Sequence, residues 1–213
     1  MIGGWGIWGV VLAIPIGYLL GCFTTSIFVG KAYKTDVRQH GSGNLGATNT
    51  LRVLGPVAGI ISLVGDVGKA MLACWLGKLL GGDMGMLVAG SAALIGHTWP
   101  VFLRFKGGRA VAATIGIGLM VAPWLTVSVL VIAAIIIAIT RYVSLASIVC
   151  AVLFWIGNIL GAFVPFFGFF GTTWVHSLFA TAWCALLIWR HKPNIQRLRE
   201  GRENKISFKG KKA

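Results

Sequence analysis

The sequence predicts an all-α bundle of helices that crosses a membrane several times. Three observations carry that prediction. First, 57% of the 213 residues are hydrophobic and only 11% are charged, whereas a water-soluble domain of this size carries roughly a quarter charged residues. Second, apolar stretches long enough to span a bilayer recur along the chain. The run Val131–Ile139 is unbroken and lies within a longer apolar stretch from Ala110 to Thr140, and about 20 such residues make one helical crossing. Third, the basic residues punctuate these stretches in clusters. Backbone groups in hydrocarbon must be paired internally, which leaves helices or closed barrels. A barrel reads as short alternating segments, and the continuous runs exclude one.

The first element is a retained helix, roughly Trp5 to Gly30. It lacks the basic leader of a signal peptide and its apolar length is too great. The net charge of +14 on a soluble protein would suggest nucleic acid. Between apolar runs it is a topology signal instead, because basic loops stay in the cytoplasm. The clusters are Lys31, Lys34, Arg38 and Arg52; Arg104, Lys106 and Arg109; Arg141; and the tail from Arg190 to Lys212. With all four inside, Met1 to Lys31 crosses once and each later interval crosses twice. That makes seven spans, N-terminus out and C-terminus in. Only Lys78 and Asp83 fall outside.

The interval Arg52–Arg104 breaks near Gly81-Gly82-Asp83, and Arg141–Arg190 breaks near Pro165 to Gly171. The interval Arg109–Arg141 holds 31 residues. Hinged near Ala122-Pro123, it makes two short helices of about 22 Å each, or a re-entrant pair. The whole chain, 1–213, reads as one integral-membrane domain with residues 191–213 as a basic cytoplasmic tail. Cys22, Cys74, Cys150 and Cys184 lie in apolar segments without paired spacing, as small buried hydrophobes do.

Three cytoplasmic segments are too polar for plain connectors. Gly41-Ser42-Gly43-Asn44-Leu45-Gly46-Ala47-Thr48-Asn49 leads into a helix that carries Arg52. Its glycines allow backbone N–H groups to form an anion-binding nest, and the helix N-terminus favours the same charge. Ser42, Asn44, Thr48 and Asn49 add side-chain donors, and Arg52 can fork onto phosphate oxygens. The second segment runs from Gly96 to Arg109. There Lys106 and Arg109 flank Gly107-Gly108, a pair that a plain basic interface loop does not explain. His97 is either a satisfied core histidine or part of the site. Position 102 is Phe, so His97 has no aspartate five residues on and the His-x4-Asp acyltransferase dyad is absent. The third segment, His191 to Glu203, follows the last span. If helical, His191 and Asn194 share a face, and its arginines suit lipid headgroups. Asp66 and Lys69 sit three apart inside a span, as a structural ion pair or a link to the site. Acidic residues and histidines are too few and scattered for a metal cluster, and no nucleotide loop is present.

These three segments, in order and over nearly the whole chain, resemble the signatures of the bacterial acyl-phosphate-dependent glycerol-3-phosphate acyltransferases, the PlsY family. The matching residues are Gly41-Ser42-Gly43-Asn44-x-Gly46-Ala47-Thr48-Asn49, Gly96-His97-x-x-Pro100-Val101-Phe102 through Lys106-Gly107-Gly108, and His191-Lys192-x-Asn194-Ile195-x-Arg197-Leu198-x-x-Gly201-x-Glu203. Leu45 replaces a common proline, Ala70 a common glycine, and Arg109-Ala110 the usual Lys-Gly.

The resemblance implies transfer of a fatty acyl group from acyl phosphate to the 1-hydroxyl of glycerol 3-phosphate. The products are lysophosphatidic acid and phosphate, made at the cytoplasmic face of the bacterial inner membrane as an early step of phospholipid synthesis. It implies catalytic roles for Ser42, Arg52, Lys106, His191 and Asn194. Substrate contacts fall to Gly41, Gly43, Asn44, Gly46, Thr48, Asn49, His97, Gly107, Gly108 and Arg109. Ser42, Gly43, Asn44, Thr48 and Arg52 bind phosphate, while Lys106, His191 and Asn194 surround glycerol 3-phosphate and the leaving phosphate. His191 serves as base or only orients the substrate. The expected partners are the two substrates and membrane lipids, with no nucleic acid, metal, nucleotide or coenzyme A. Whether a soluble acyl-phosphate synthase docks transiently stays open. A transporter of phosphorylated metabolites is the runner-up reading, and a lipid-binding scaffold the third.

Overall fold

The computed structural model describes residues 5–206. The first residues of the chain and residues 207–213, the end of the basic tail, lie outside the described residues. The described chain is helical, with α1 Gly6–Cys22, α2 Thr25–Ala32, α3 Ala47–Leu54, α4 Pro56–Thr98, α5 Val111–Val121, α6 Pro123–Thr140, α7 Val143–Phe163, α8 Trp174–Arg190 and α9 Lys192–Arg199. Four stretches are long and apolar enough to cross a membrane: 6–32, 56–103, 123–140 and 143–163. The chain packs as two compact units, one running to Met120 and the other from Val121.

The breaks fall at the expected glycines and prolines. α4 doubles back at Gly81 and Gly82, whose backbones leave helical geometry; Gly82 at φ 63° occupies the region open to glycine. Ala122 interrupts the chain between α5 and α6, and a 3₁₀ helix Pro165–Phe170 separates α7 from α8. Two expectations need correction. The 110–140 stretch does not split evenly: α5 has 11 residues and α6 has 18, about 16 and 27 Å. Pro123 sits at the first turn of α6, where a missing N–H costs nothing, and this sets the unequal division. The first span is also not one continuous helix. It breaks at Phe23–Thr24, where no glycine or proline marks the spot, while Pro15 is carried inside α1.

In the first unit the helices meet through small residues. Gly9, Ala13, Gly17 and Gly21 form a buried stripe along α1 at four-residue spacing. A Cβ on Gly9 would lie 2.1 Å from the Leu80 carbonyl oxygen, one on Gly17 2.3 Å from that of Ala89, and one on Gly21 2.1 Å from that of Ala93. Gly96 on α4 returns the contact, 2.2 Å from the Tyr18 carbonyl oxygen. The large side chains face outward: Ile7, Trp8, Ile60 and Val64 are all more than half exposed. This inversion of a soluble core is expected where lipid tails solvate Leu and Ile as well as protein does, so close backbone packing drives association. Gly116 brings α5 against α4 in the same way, 2.4 Å from the Val67 carbonyl oxygen.

In the second unit α7 packs against both α6 and α8. Gly157 of α7 receives Leu125. Trp155 Nε1 donates to Thr181 Oγ1 at 2.8 Å, and Thr172 and Ser177 both donate to the Asn158 carbonyl at 3.0 Å.

Gly17→Val should lower thermal stability in detergent by about 3 kcal/mol, the upper range for overpacking, because the added carbons meet backbone. Gly68→Ala, which meets nothing within 4 Å, should leave the melting temperature the same or slightly higher. Equal melting temperatures for both variants would contradict the stripe.

Candidate functional site

The first unit places the 41–52 and 96–109 segments, and the second places 191–203. The 41–52 loop is built around Asn49 on α3. Asn49 is buried (1% exposed) and its amide is fully used. Nδ2 donates to the Val37 and His40 carbonyls at 2.9 and 3.1 Å. Oδ1 accepts from the Ser42 N–H at 2.8 Å and from Ser42 Oγ at 3.2 Å. Gly41 must be glycine twice over: its φ is +64°, and a Cβ there would lie 2.3 Å from Asn49 Oδ1. Further back, Arg38 clamps Asp36 through its Nε and Nη2 at 2.9 and 2.7 Å. Those bonds hold the Asp36 carboxyl down at about 2. The Asp36 carbonyl in turn meets His40 Nδ1 at 3.0 Å.

This geometry changes the expected nest. The Ser42 and Gly43 N–H groups are spent inside the loop, on Asn49 Oδ1 and on the His40 carbonyl at 3.1 Å. Among the described residues, the amides of residues 44–48, by contrast, meet no protein acceptor. They lead into the first turn of α3, where orphan N–H groups and the helix dipole favour an anion. Arg52 lies five residues along from Ala47 on the same helix. Asn49 therefore holds the loop.

The 96–109 segment is pinned to the end of α4. A one-turn 3₁₀ helix, Val101–Leu103, runs into left-handed Arg104 and Phe105. The Gly107 N–H donates to the Thr98 carbonyl at 3.2 Å and the Gly108 N–H to the His97 carbonyl at 3.0 Å. A Cβ on Gly108 would lie 2.2 Å from His97 Nε2, and one on Gly107 2.2 Å from the His97 carbonyl oxygen. The resemblance implies a substrate contact at the glycine pair. In the structure the pair lets the loop lie flat on His97, and its N–H groups bond to the Thr98 and His97 carbonyls. The loop carries Lys106, which is exposed, and Arg109, which is half-buried. His97 itself is buried and lies 3.0 Å from Lys69 Nζ through Nδ1. Ala110 caps α5 at φ +71°, a left-handed conformation that costs a residue with a Cβ about 1–2 kcal/mol, which is why glycine suits this position.

In the second unit His191 closes α8 and opens α9. Its ring is buried, with Nδ1 2.8 Å from the Leu187 carbonyl. A carbonyl only accepts, so Nδ1 carries a hydrogen, and in the neutral form of the ring the lone pair is on Nε2. Asn194 follows one turn on, also buried. Its Nδ2 donates to Glu203 Oε1 at 2.7 Å, which orients the amide and leaves Oδ1 without a protein donor. Glu203 further accepts from Ser144 at 2.9 Å and pairs with Arg197 at 2.7 Å. Arg197, expected at lipid headgroups, is thus engaged inward. Burial alone would raise the Glu203 carboxyl, but the bonds from Asn194, Arg197 and Ser144 outweigh it and hold it below its usual range.

Sequence reasoning gave Glu203 and Ser144 no role. Glu203 had two signals available, its place at the end of the third signature and the scarcity of acidic residues, of which the chain holds only five. Ser144 had none. Among the described residues no three His, Cys, Asp or Glu side chains gather to hold a metal.

A family model described as glycerol-3-phosphate acyltransferase matches residues 11–201, which takes in all three segments. The chain belongs to the glycerol-3-phosphate acyltransferase family. It is 40% identical over 202 residues to the glycerol-3-phosphate acyltransferase of Desulforudis audaxviator, covering 94% of this chain and 97% of that one. It is 43% identical over 200 residues to that of Exiguobacterium sibiricum, covering 93% and 94%. Among solved structures, the glycerol 3-phosphate form of PlsY (YgiH), an integral membrane glycerol 3-phosphate acyltransferase, superposes with a TM-score of 0.84 at 31% identity. That match covers 93% of this chain and 96% of that one. The lysophosphatidic acid form of the same enzyme gives a TM-score of 0.83 at 30% identity over the same shares. This family member is accordingly an integral membrane protein of all-α fold.

Three outcomes check the site geometry. Asn49→Ala removes four hydrogen bonds, one buried and three part-buried, at about 1 kcal/mol each, so stability and activity should fall together. Ala110→Gly should raise stability by about 1 kcal/mol. For Glu203 the depressed folded value means its contribution is fully present above its unfolded value, about 4.3, and is lost as pH falls through the lower folded one. The melting-temperature gap between wild type and Glu203→Gln should therefore be constant near neutrality and close on acidification. A gap that does not depend on pH would contradict the assignment.

Proposed function

We propose that the chain moves a fatty acyl group from acyl phosphate to the 1-hydroxyl of glycerol 3-phosphate, yielding lysophosphatidic acid and inorganic phosphate. The observation that carries this reading is the start of α3. The loop's own hydrogen bonds use the amides of Ser42 and Gly43 and leave those of residues 44–48 for an anion, with Arg52 on the same helix. Both substrates and both products carry phosphorus-centred anions, and the chain offers amides and cations with few carboxylates to repel them.

In the reaction the glycerol hydroxyl oxygen bonds to the acyl carbonyl carbon, the carbon–oxygen bond to phosphate breaks, and phosphate departs. Ser42, Asn44, Thr48, Arg52 and the amides before α3 grip a phosphate. Lys106 and Arg109 neutralise charge that builds as phosphate leaves. Electrostatic donors of this kind are each worth 10²–10³ in rate. Asn194 Oδ1, the acceptor that Glu203 leaves facing away from itself, takes the hydrogen of a glycerol hydroxyl. His191 Nε2, with its lone pair set by the Leu187 carbonyl, accepts the transferred proton or hands that task to a phosphate oxygen while orienting the substrate. Asn49, Gly41, Gly107 and Gly108 shape the loops that carry these groups.

We further read α1 with α2, the two legs of α4 (56–80 and 83–98), α5, α6, α7 and α8 as seven membrane segments of one catalytic domain. The N-terminus lies outside and the reaction proceeds at the cytoplasmic face of the inner membrane. Support comes from charge: the turn between the α4 legs carries only the exposed Lys78–Asp83 pair, 3.6 Å apart, while the other basic clusters fall on the opposite connections. A soluble acyl-phosphate synthase is the natural source of the donor at that basic face.

Purified protein should release inorganic phosphate only when acyl phosphate and glycerol 3-phosphate are both present, and should not use acyl coenzyme A. Arg52→Ala and His191→Ala should each lower turnover at least about 100-fold. Normal turnover by both variants would sink the site assignment, and uptake of glycerol 3-phosphate into vesicles without phosphate release would favour a transporter.

A further inference from the structure

The feature that these roles leave unused is a buried polar cluster in the first unit: Thr25, Asp66, Lys69 and His97. Asp66 is 0% and His97 2% exposed, and the Lys69 side chain is 8% exposed. Asp66 Oδ1 accepts from Thr25 N at 3.3 Å, from Thr25 Oγ1 at 3.1 Å and from Lys69 Nζ at 2.9 Å. Lys69 also donates to the Phe23 carbonyl and reaches His97 Nδ1 at 3.0 Å. Part of this serves the break between α1 and α2. Thr25 N is an orphan amide at the start of α2 and the Phe23 carbonyl an orphan at the end of α1, and in a bilayer both need protein partners. That duty accounts for Asp66, for Thr25 and for one hydrogen of Lys69. It does not account for His97.

An ammonium has three hydrogens and no lone pair. Around Lys69 stand three acceptors: the Phe23 carbonyl, Asp66 Oδ1 and His97 Nδ1. Beside the ammonium form of Lys69, Nδ1 holds the lone pair, and the hydrogen of a neutral ring sits on Nε2. A doubly protonated ring would set N–H against N–H. Nε2 is also the ring atom that lies against Gly108, on the loop that carries Lys106 and Arg109. The same histidine's carbonyl receives the Gly108 N–H.

We infer that Lys69 is a positioning residue for acyl transfer: with Asp66 behind it, it holds His97 as the Nε2–H tautomer, so that a neutral N–H donor faces the 106–109 loop. The opposite tautomer would present a lone pair where a phosphate is to be held. His191, whose Nδ1 faces a carbonyl, is held in the opposite tautomer, as an acceptor. Two histidines with one intrinsic chemistry are thus given different jobs by the partner of Nδ1. The kinetic part of this inference rests on the reading that Lys106 and Arg109 hold a phosphate; the tautomer part does not.

The test is ¹⁵N NMR of histidine-labelled protein in detergent at pH 7. The chain has four histidines, and the signals of His97 are those missing from His97→Asn. Wild type should show one neutral form with hydrogen on Nε2. An imidazolium, the Nδ1–H form or a mixture overturns the inference without any variant at position 69. Lys69→Met should release His97 to a mixture and raise KM for acyl phosphate about tenfold, the equivalent of one hydrogen bond, while kcat changes much less. Lys69→Arg, which keeps N–H donors, should restore the tautomer and most of the KM. Thr25→Val, which removes one bond to Asp66 Oδ1 and keeps Lys69 in place, should lower the melting temperature while KM changes much less than in Lys69→Met. If Lys69→Met lowers stability alone, Lys69 is structural and the inference fails. If Lys69→Met does not fold, the wild-type spectrum and Lys69→Arg decide. If wild type shows the Nε2–H form but never releases phosphate from the two substrates, the acyl-transfer reading fails and the tautomer assignment stands.

Discussion

A helix that breaks inside a membrane must find partners for its freed backbone groups within the protein, and that constraint organises much of the first unit. At Phe23–Thr24 the partners are Asp66 and Lys69, two residues that hydrocarbon would expel if they stood alone. Together they tie α1 and α2 to α4 at one point. The same requirement recurs in the loops. Asn49 satisfies two carbonyls and one amide of the 37–42 segment with one side chain. The carbonyls at the end of α4 are satisfied by Gly107 and Gly108. What remains exposed to a ligand is the set of donors that internal partners leave over, which is a more restrictive source of specificity than the simple presence of polar residues.

The second unit applies the same logic to side chains. Glu203 returns from beyond α9 to hold Asn194, Arg197 and Ser144 together. It spends the donor end of Asn194 and so dictates that the acceptor end is available. The Leu187 carbonyl does the equivalent for His191. In both cases the residue that chemistry would use is oriented by one that chemistry never touches. Carboxylates are scarce in this chain, and two of the five, Asp66 and Glu203, serve this purpose.

Much of this was legible in the residues. Breaks at Gly81-Gly82, at Ala122-Pro123 and near Pro165 follow from glycine and proline chemistry, and the all-α membrane fold follows from uninterrupted apolar runs. The break at Phe23–Thr24 was not legible, because its cause is a pair of charges more than forty residues away. The unequal lengths of α5 and α6 turn on which side of the hinge Pro123 caps. At the site, Gly41 and Gly43 suggested a nest, and the positive φ values agree with that. Only three dimensions show that Asn49 and His40 consume its first amides. Gly107-Gly108 pointed to close approach, but the approaching group is the His97 ring. Ser144 carries no local signal at all, since its partner is Glu203, 59 residues on.

The central claim is that the amides of residues 44–48 and the Arg52 guanidinium form the anion grip of an acyltransferase. A structure determined with glycerol 3-phosphate and a non-transferable acyl phosphonate bound together tests it most directly. A phosphorus-centred anion within hydrogen-bond reach of both Arg52 and at least one of those amides is the expected result. Both anions lying away from the start of α3 would contradict it.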